Sequence, residues 1–505
     1  VSRTSLFTLL LPLFLVPRGI PQTEKAPPGK AGKAWEKLPG IRKDALRFWV
    51  ESLAAPGMNG REAGTPGFDA AADFVRKRLR KWGLASPPGV KDFFQPIPLL
   101  YLKLGKPLRF LVDGKPLKLF DDFVPRQDSG DGKVSGRAVY VGLGFASRDL
   151  GVDFLKGKDL KGKIAVIDRD AWKGLRSRYY RLPLKKRQAL RNKLFRRGAI
   201  LKGLAERGAV GAVSFRSTPP HYSPRSGRFR TGSVDRKGRL AFFEGVQIAQ
   251  AVPPSIPGME VTHRVGRNLV GRMVEIEVHL FRQARKTFNI MGVFPGGNPK
   301  GRTLVLGAHL DGRGTILVDG KPLTLPGANN NASGCAVLLE VARVLSLRKP
   351  KLRNNILFVF FSAREKYLAG SRTFVSRPPY PLSRFLGMVN LEGVARGLEE
   401  ARGGLVVEYP PGKEEMAGLF RKAAFLAGLS CIFHARAPSF GADHWSFHDR
   451  RIPFLFLHGD LSEAEFNPCA APPLDYGLLL KAARAVYHLT LTMGRLASKD
   501  SGREK

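Results

Sequence analysis

The chain has 505 residues, 43% of them hydrophobic and 10% aromatic; this excludes wholesale disorder and leaves material for about three domain-sized units. Its 56 Gly and 37 Pro point to many turns in an ordered protein rather than to a low-complexity chain. With 84 Lys and Arg against 42 Asp and Glu, the net charge is +42, an excess that no fold requires and that attracts polyanions such as nucleic acid, anionic lipid or acidic envelope polymers.

In chain order, Arg3 precedes an apolar run of 12 residues from Leu6 to Pro17. That is too short to span a bilayer and has the length of a signal-peptide core, so residues 1–22 read as an export signal and 23–40 as a linker, with an uncleaved anchor as the alternative. No later stretch is apolar enough to span a membrane. The segment from Asp44 to Leu84 holds two helical patterns around a Gly/Pro loop. The second has apolar positions at Phe68, Ala72, Phe74, Val75 and Leu79, and ends at Gly83. Residues 90–125 read as short strands with a turn at Asp113-Gly114. Residues 41–125 are therefore assigned to the N-terminal part of one domain.

Between 126 and 265 the texture changes. Gly-rich strand patterns (AVYVGLGF, GKIAVIDRD, GAVGAVSF) surround a basic helical stretch near 184–207, marking a separate β-rich unit. Residues 171–240 hold 20 Lys and Arg against Glu206 and Asp235, interleaved with Tyr179, Tyr180, Phe195, Phe215, Tyr222 and Phe229. Such a pattern suits a polyanion, but no nucleic-acid motif accompanies it. From 266 to 498, strands and helices alternate, which predicts an α/β sheet flanked by helices, closing on an amphipathic helix at 475–496. Residues 499–505 are a tail. The three cysteines, Cys335, Cys431 and Cys469, include no C-x-x-C pair, which argues against a Cys-rich zinc site and leaves room for one disulfide among them.

Three predicted strands end in groups suited to metal-dependent hydrolysis, which needs ligands held on rigid elements. TLVLGAHLDG carries His309 and Asp311, ILFVFFSAREK carries Arg364 and Glu365, and FLGMVNLEGV ends in Glu392. PGANNNASG lies between the first two and leads into a helix.

The order and spacing of these segments resemble the zinc-dependent aminopeptidase family that includes aminopeptidase Y, bacterial leucyl aminopeptidases and glutamate carboxypeptidase. MNGREAGTPGFDAAADFVRKRLRKWGL, FNIMGVFPGGNPKGRTLVLGAHLDG and GADHWSFHDRRIPFLFLHGD carry the resemblance, and DLKGKIAVIDRD with AERGAVGAVSF resembles the protease-associated (PA) domain inserted in many such enzymes. The resemblance implies a zinc-exopeptidase-like mixed β-sheet flanked by helices, with an inserted β-rich PA domain. It implies five ligands for two zinc ions and a glutamate general base. His309 then matches a metal ligand and Asp311 its orienting partner. Asn330 stands at the metal-bridging aspartate, Arg364 at the general base, and Glu365 and Glu392 at two carboxylate ligands. Asn467 matches the last histidine ligand and Phe466 the oxyanion-stabilising tyrosine, while Asp443 and His444 match a site-lining element.

A neutral amide bridges two dications poorly, and a guanidinium cannot accept a proton from water. The expectation is an exported peptidase-like protein, periplasmic, in the envelope or extracellular, that has lost dizinc hydrolysis, with zinc weak or absent and a peptide, protein or polyanion as partner. An exopeptidase with a modified single-metal site, and a polyanion binder acting through the basic insert, are the alternatives. With the metals gone, the guanidinium of Arg364 is expected to pair with Glu365 or Glu392.

Overall fold

The computed structural model describes residues 40–497, except 184–185, 188, 191–193, 195–197, 218–221, 224–227, 230–244, 249–254, 299–300, 319–320, 437, 439–440 and 462–472. The export signal, most of the linker, the tail, Cys469 and the positions of Phe466 and Asn467 lie outside the described residues.

A nine-stranded mixed sheet organises the chain, in the order Gly245–Ile248, Phe94–Leu104, Leu280–Phe294, Asn355–Phe361, Thr303–His309, Phe385–Glu392, Phe454–His458, Leu405–Tyr409 and Cys431–Ala435. Its centre is parallel: Thr303–His309 runs alongside both Asn355–Phe361 and Phe385–Glu392, which in turn pairs with Phe454–His458. These strands are nearly continuous apolar runs because helices cover both of their faces. Alternation then sorts the side chains. Leu304, Leu306, Ala308, Val389 and Leu391 face the core formed with helices Lys43–Leu53, Pro66–Lys81, Gly334–Arg348 and Tyr476–Arg495. Val305, Phe361, Met388, Phe454 and Phe456 face the opposite core, with Phe374 and Phe447 from two shorter helices. Counting by twos from Val305, Met388 and Phe456 puts His309, Glu392 and His458 on that second face, all at carboxyl strand ends. Helix Pro66–Lys81 buries Phe68, Ala72, Val75 and Leu79 as the periodicity predicts, and Gly83 follows it at a φ of 73°.

The second unit is an eight-stranded sheet, in the order Lys115–Pro116, Arg109–Val112, Met273–Val278, Gly132–Tyr140, Ile164–Asp168, Gly211–Phe215, Gly258–Val261 and Phe123–Pro125. It draws on residues beyond the 126–265 span expected from sequence. Strands Phe94–Leu104 and Leu280–Phe294 pair antiparallel until Leu104 opposes Leu280, and the whole second sheet is threaded between those two partners. Strands Arg109–Val112, Lys115–Pro116 and Phe123–Pro125 therefore join the second sheet and not the main one. Asp113-Gly114 makes its hairpin turn with both residues at positive φ (46° and 77°), as a tight hairpin favours. Strand backbone from Gly245–Ile248 returns to pair with Phe94–Leu104 on the edge of the main sheet.

Among the described residues, no helix is long and apolar enough to cross a membrane. Cys335 and Cys431 are free thiols.

Candidate active site

The central strands bring His309, Asp311, Arg364, Glu365 and Glu392 together at their carboxyl ends. His309 is buried, and its orientation is fixed by the backbone: Nδ1–H donates to the Asp311 carbonyl at 2.8 Å. The Asp311 carboxylate, expected to orient this ring, instead accepts the amides of Arg364 (3.0 Å) and Glu365 (3.1 Å), and lies 3.9 Å from Nδ1. Ala363, at a φ of 55°, turns the chain so that both amides face that carboxylate. Asp311 is fully buried, and burial raises its pKa despite the two donors and His309.

His309 Nε2, the atom a metal would take, stands 2.9 Å from the side-chain oxygen of Asn330 and 3.8 Å from Glu392. A protonated ring, or the reversed amide with its NH2 as donor, makes the Asn330 contact a hydrogen bond. The flanking residues explain why Asn330 is held there. Asn331 donates to the Leu391 carbonyl (2.7 Å) and accepts the amides of Gly334 and Gly393, while Asn329 donates to the Asp460 carbonyl (2.9 Å) and accepts the Ala395 amide. These two side chains fasten the loop to the neighbouring strand ends.

Arg364 is only 6% exposed and enters the site. One of its terminal nitrogens donates to Glu365 and the other to Glu392, both as short ion pairs. Arg313 lies 3.4 Å from the other Glu365 oxygen. The result is a chain of alternating charge, Arg313–Glu365–Arg364–Glu392, ending on His309. It pairs Glu365 and one oxygen of Glu392, while Glu392 Oε2 and Arg364 Nε are buried with no hydrogen-bond partner among the described residues.

The residues present do not fit a pair of zinc ions. One oxygen each of Glu365 and Glu392 already accepts from the Arg364 guanidinium, that fixed cation stands between the two glutamates, and a neutral amide stands beside His309 Nε2, which leaves Glu392 Oε2 as an unengaged carboxylate oxygen. Among the described residues, no three His, Cys, Asp or Glu side chains converge as metal ligands. Arg364 stands where the resemblance places a glutamate base, and a guanidinium cannot take a proton from water.

Asp443 and His444 also reach this face, but as a buried pair. His444 stacks on Phe456 at 4.2 Å between ring centroids, and burial pushes its pKa down to about 3. Burial pushes Asp443 up to about 6, against the pull of His309. The His444 nitrogens have no hydrogen-bond partner within range among the described residues, and the Ser371 hydroxyl beside Asp443 favours its carboxylate without offsetting burial. His448 and Asp449 are half-buried, with His448 edge-on to Phe454.

Two contributors escaped the sequence. Arg61 is fully buried and donates to the carbonyls of Leu310 (2.9 Å), Pro326 (2.7 Å), Gly327 (2.9 Å) and Leu53, tying the strand end after His309 to the asparagine loop. Glu62 beside it pairs with Lys366 at 2.7 Å. Nothing in a chain with 84 basic residues marks Arg61 as the buried one.

The fold is that of an α/β protein with a mixed sheet flanked by helices, and residues 289–488 match the model of Peptidase family M28. The particular relatives are aminopeptidases. Two from Pseudomonas aeruginosa strains are each 25% identical over 336 residues, covering 65% of this chain and 52% of theirs. The chain thus spans about half the length of these curated relatives. Leucine aminopeptidase 1 of Uncinocarpus reesii is 29% identical over 184 residues, covering 33% of this chain and 46% of its own. Among solved structures, an aminopeptidase from Aneurinibacillus sp. strain AM-1 aligns over 92% of this chain and 96% of its own, with a TM-score of 0.56 at 20% identity. BSAP, a zinc aminopeptidase from Bacillus subtilis, aligns over 91% of this chain and 96% of its own, with a TM-score of 0.50 at 19% identity. At these identities the structural likeness speaks for the fold.

Proposed function

We propose that this protein is a non-hydrolytic member of the aminopeptidase-like class, which holds a peptide or protein ligand at the strand-end site without cleaving it. The observation that carries this reading is the guanidinium of Arg364 bridging Glu365 and Glu392. It supplies the positive charge a metal centre would supply, yet it neither activates water nor accepts a proton. Removal of a general base alone lowers such rates by about a hundredfold to ten-thousandfold, and here the bridging charge is replaced as well. In this reading the insert is a PA-like docking unit and the chain is exported.

Metal analysis of the purified protein, with hydrolysis of aminoacyl anilides in added zinc, tests the reading. The expected result is substoichiometric zinc and no turnover above buffer. Tight stoichiometric zinc together with turnover would restore the alternative of an active exopeptidase with a modified site.

A second reading rests on charge. The described part of the insert carries Arg176, Lys186 and Lys202 at its surface, within the 171–240 stretch of high positive charge. Heparin retention that falls when Lys185, Lys186, Arg187, Arg196 and Arg197 are neutralised would support a polyanion partner, and unchanged retention would remove it.

A further inference from the structure

The inserted sheet carries a second cluster of buried charge, separate from the strand-end site. Strands Ile164–Asp168, Gly211–Phe215 and Gly258–Val261 are neighbours and parallel. Arg169 and Arg216 follow the first two directly, and Glu260 lies in the third. Ligands of parallel sheets bind at such carboxyl ends. The third guanidinium, Arg126, is committed to Asp128 in a two-pronged pair (2.8 and 2.9 Å), with a further bond to the Ser214 hydroxyl at 2.9 Å. Asp128 also accepts the Gly198 amide. Arg169 and Arg216 must therefore share Glu260, and both donate to its same oxygen, at 3.3 and 3.1 Å. Arg216 Nε is buried with no hydrogen-bond partner among the described residues. The side chains of Arg216 and Glu260 are only 18% and 11% exposed, so water screens them weakly, while that of Arg169 is 37% exposed and open to a ligand from solvent.

Among the described residues of this cluster, three guanidiniums face two carboxylates. Burial, with repulsion from Arg216 and Arg126, brings the pKa of Arg169 down to about 10 against the pull of Glu260 and Asp128. A partly buried cluster one negative charge short, with an orphaned guanidinium donor, is suited to receive an anion.

We propose that Arg169 and Arg216 form a binding site for a carboxylate group, at the carboxyl ends of the parallel strands of the inserted sheet. A carboxylate brings the single charge that neutralises the cluster. Its two oxygens match the planar fork that each arginine presents. Phosphate shares the oxyanion chemistry but brings more charge than the imbalance requires.

Calorimetric titration of the full chain with acetate and, separately, with inorganic phosphate tests the site, at constant ionic strength in chloride. Acetate is expected to saturate a single site. Arg169→Gln should weaken that binding by about tenfold or more, and Arg169→Lys, which keeps the charge but loses the fork, should weaken it too. Lys158→Gln on the exposed surface should leave it unchanged. Thermal unfolding in chloride provides the folding control: Arg169→Gln removes the excess cation and is expected to unfold no earlier than the parent. Acetate binding that fails to saturate, or that survives both Arg169 substitutions, overturns the proposal. Phosphate binding more tightly than acetate overturns the carboxylate assignment. Early unfolding of Arg169→Gln, without acetate binding by the parent, makes Arg169 a structural ion-pair partner and also overturns it.

Discussion

Arg364 and Glu392 form an ion pair from two different strand ends, with side chains 5% and 0% exposed. Both flank the strand that ends in His309, so the pair lies beside His309 Nε2, which is 3.8 Å from Glu392. Removing one member leaves a buried charge without compensation, which costs about 3–5 kcal/mol. Arg364→Ala is therefore expected to unfold several kcal/mol below the parent in denaturant titration. Because it also releases two carboxylates, added zinc should recover part of that loss in Arg364→Ala and none in the parent. Equal responses to zinc in the two proteins would show that the guanidinium does not keep metal out.

Asn330 bears on the same balance from the other side. Asn330→Asp adds a carboxylate next to Glu392 without adding a cation. Like charges in a buried site disfavour ionisation, so this variant is expected to lose stability as pH rises through the carboxylate range. In the double variant Arg364→Glu with Asn330→Asp, the fixed cation is gone and the bridging charge is present. It is expected to take up zinc detectably by metal analysis. Failure of the double variant to bind zinc, while it remains folded, would place the defect beyond these two positions.

These relationships differ in how far the sequence discloses them. The Arg364 partnership is legible because two local facts suffice: an arginine follows one apolar strand, and a glutamate ends another. The backbone role of Asp311 is not legible, since a sequence shows a carboxylate but not which of its atoms faces the histidine. Asn329 and Asn331 read as a polar turn, although their side chains fasten that turn to residues about 60 to 130 positions away. The insert is visible as a change of texture, but its true limits are not. Short strands such as Arg109–Val112 carry no mark of which sheet they join, and the deciding contact is with Met273–Val278, far along the chain. Burial of Arg61 is a tertiary outcome that propensity cannot register.

Arg61 gives a test of that last point. Its guanidinium serves four carbonyls from three segments, so its loss leaves several buried acceptors unsatisfied. Arg61→Ala is expected to cost about 3 kcal/mol or more, and Arg61→Lys should recover little, because an ammonium cannot span the same fan of acceptors. Chemical denaturation of both variants decides this. Full rescue by lysine would reduce Arg61 to a point charge.

Asp443 and His444 provide a prediction in pH. Asp443 is raised from 3.8 to about 6, so the folded state holds a proton that the unfolded state releases; its contribution is fully present below about pH 4 and is lost as pH rises through 6. His444 is lowered from 6.5 to about 3, so its contribution is present above about pH 6.5 and is lost as pH falls through 3. Between about pH 4 and 6 the two slopes are opposite, each at most about 1.4 kcal/mol per pH unit, and they largely cancel. Asp443→Asn removes the falling slope and should make stability climb with pH across that window. His444→Phe, which keeps the stack on Phe456, removes the rising slope and should make stability decline across it. Denaturation midpoints for the three proteins between pH 4 and 6 measure this directly, and parallel profiles would mean that neither group titrates as its burial dictates.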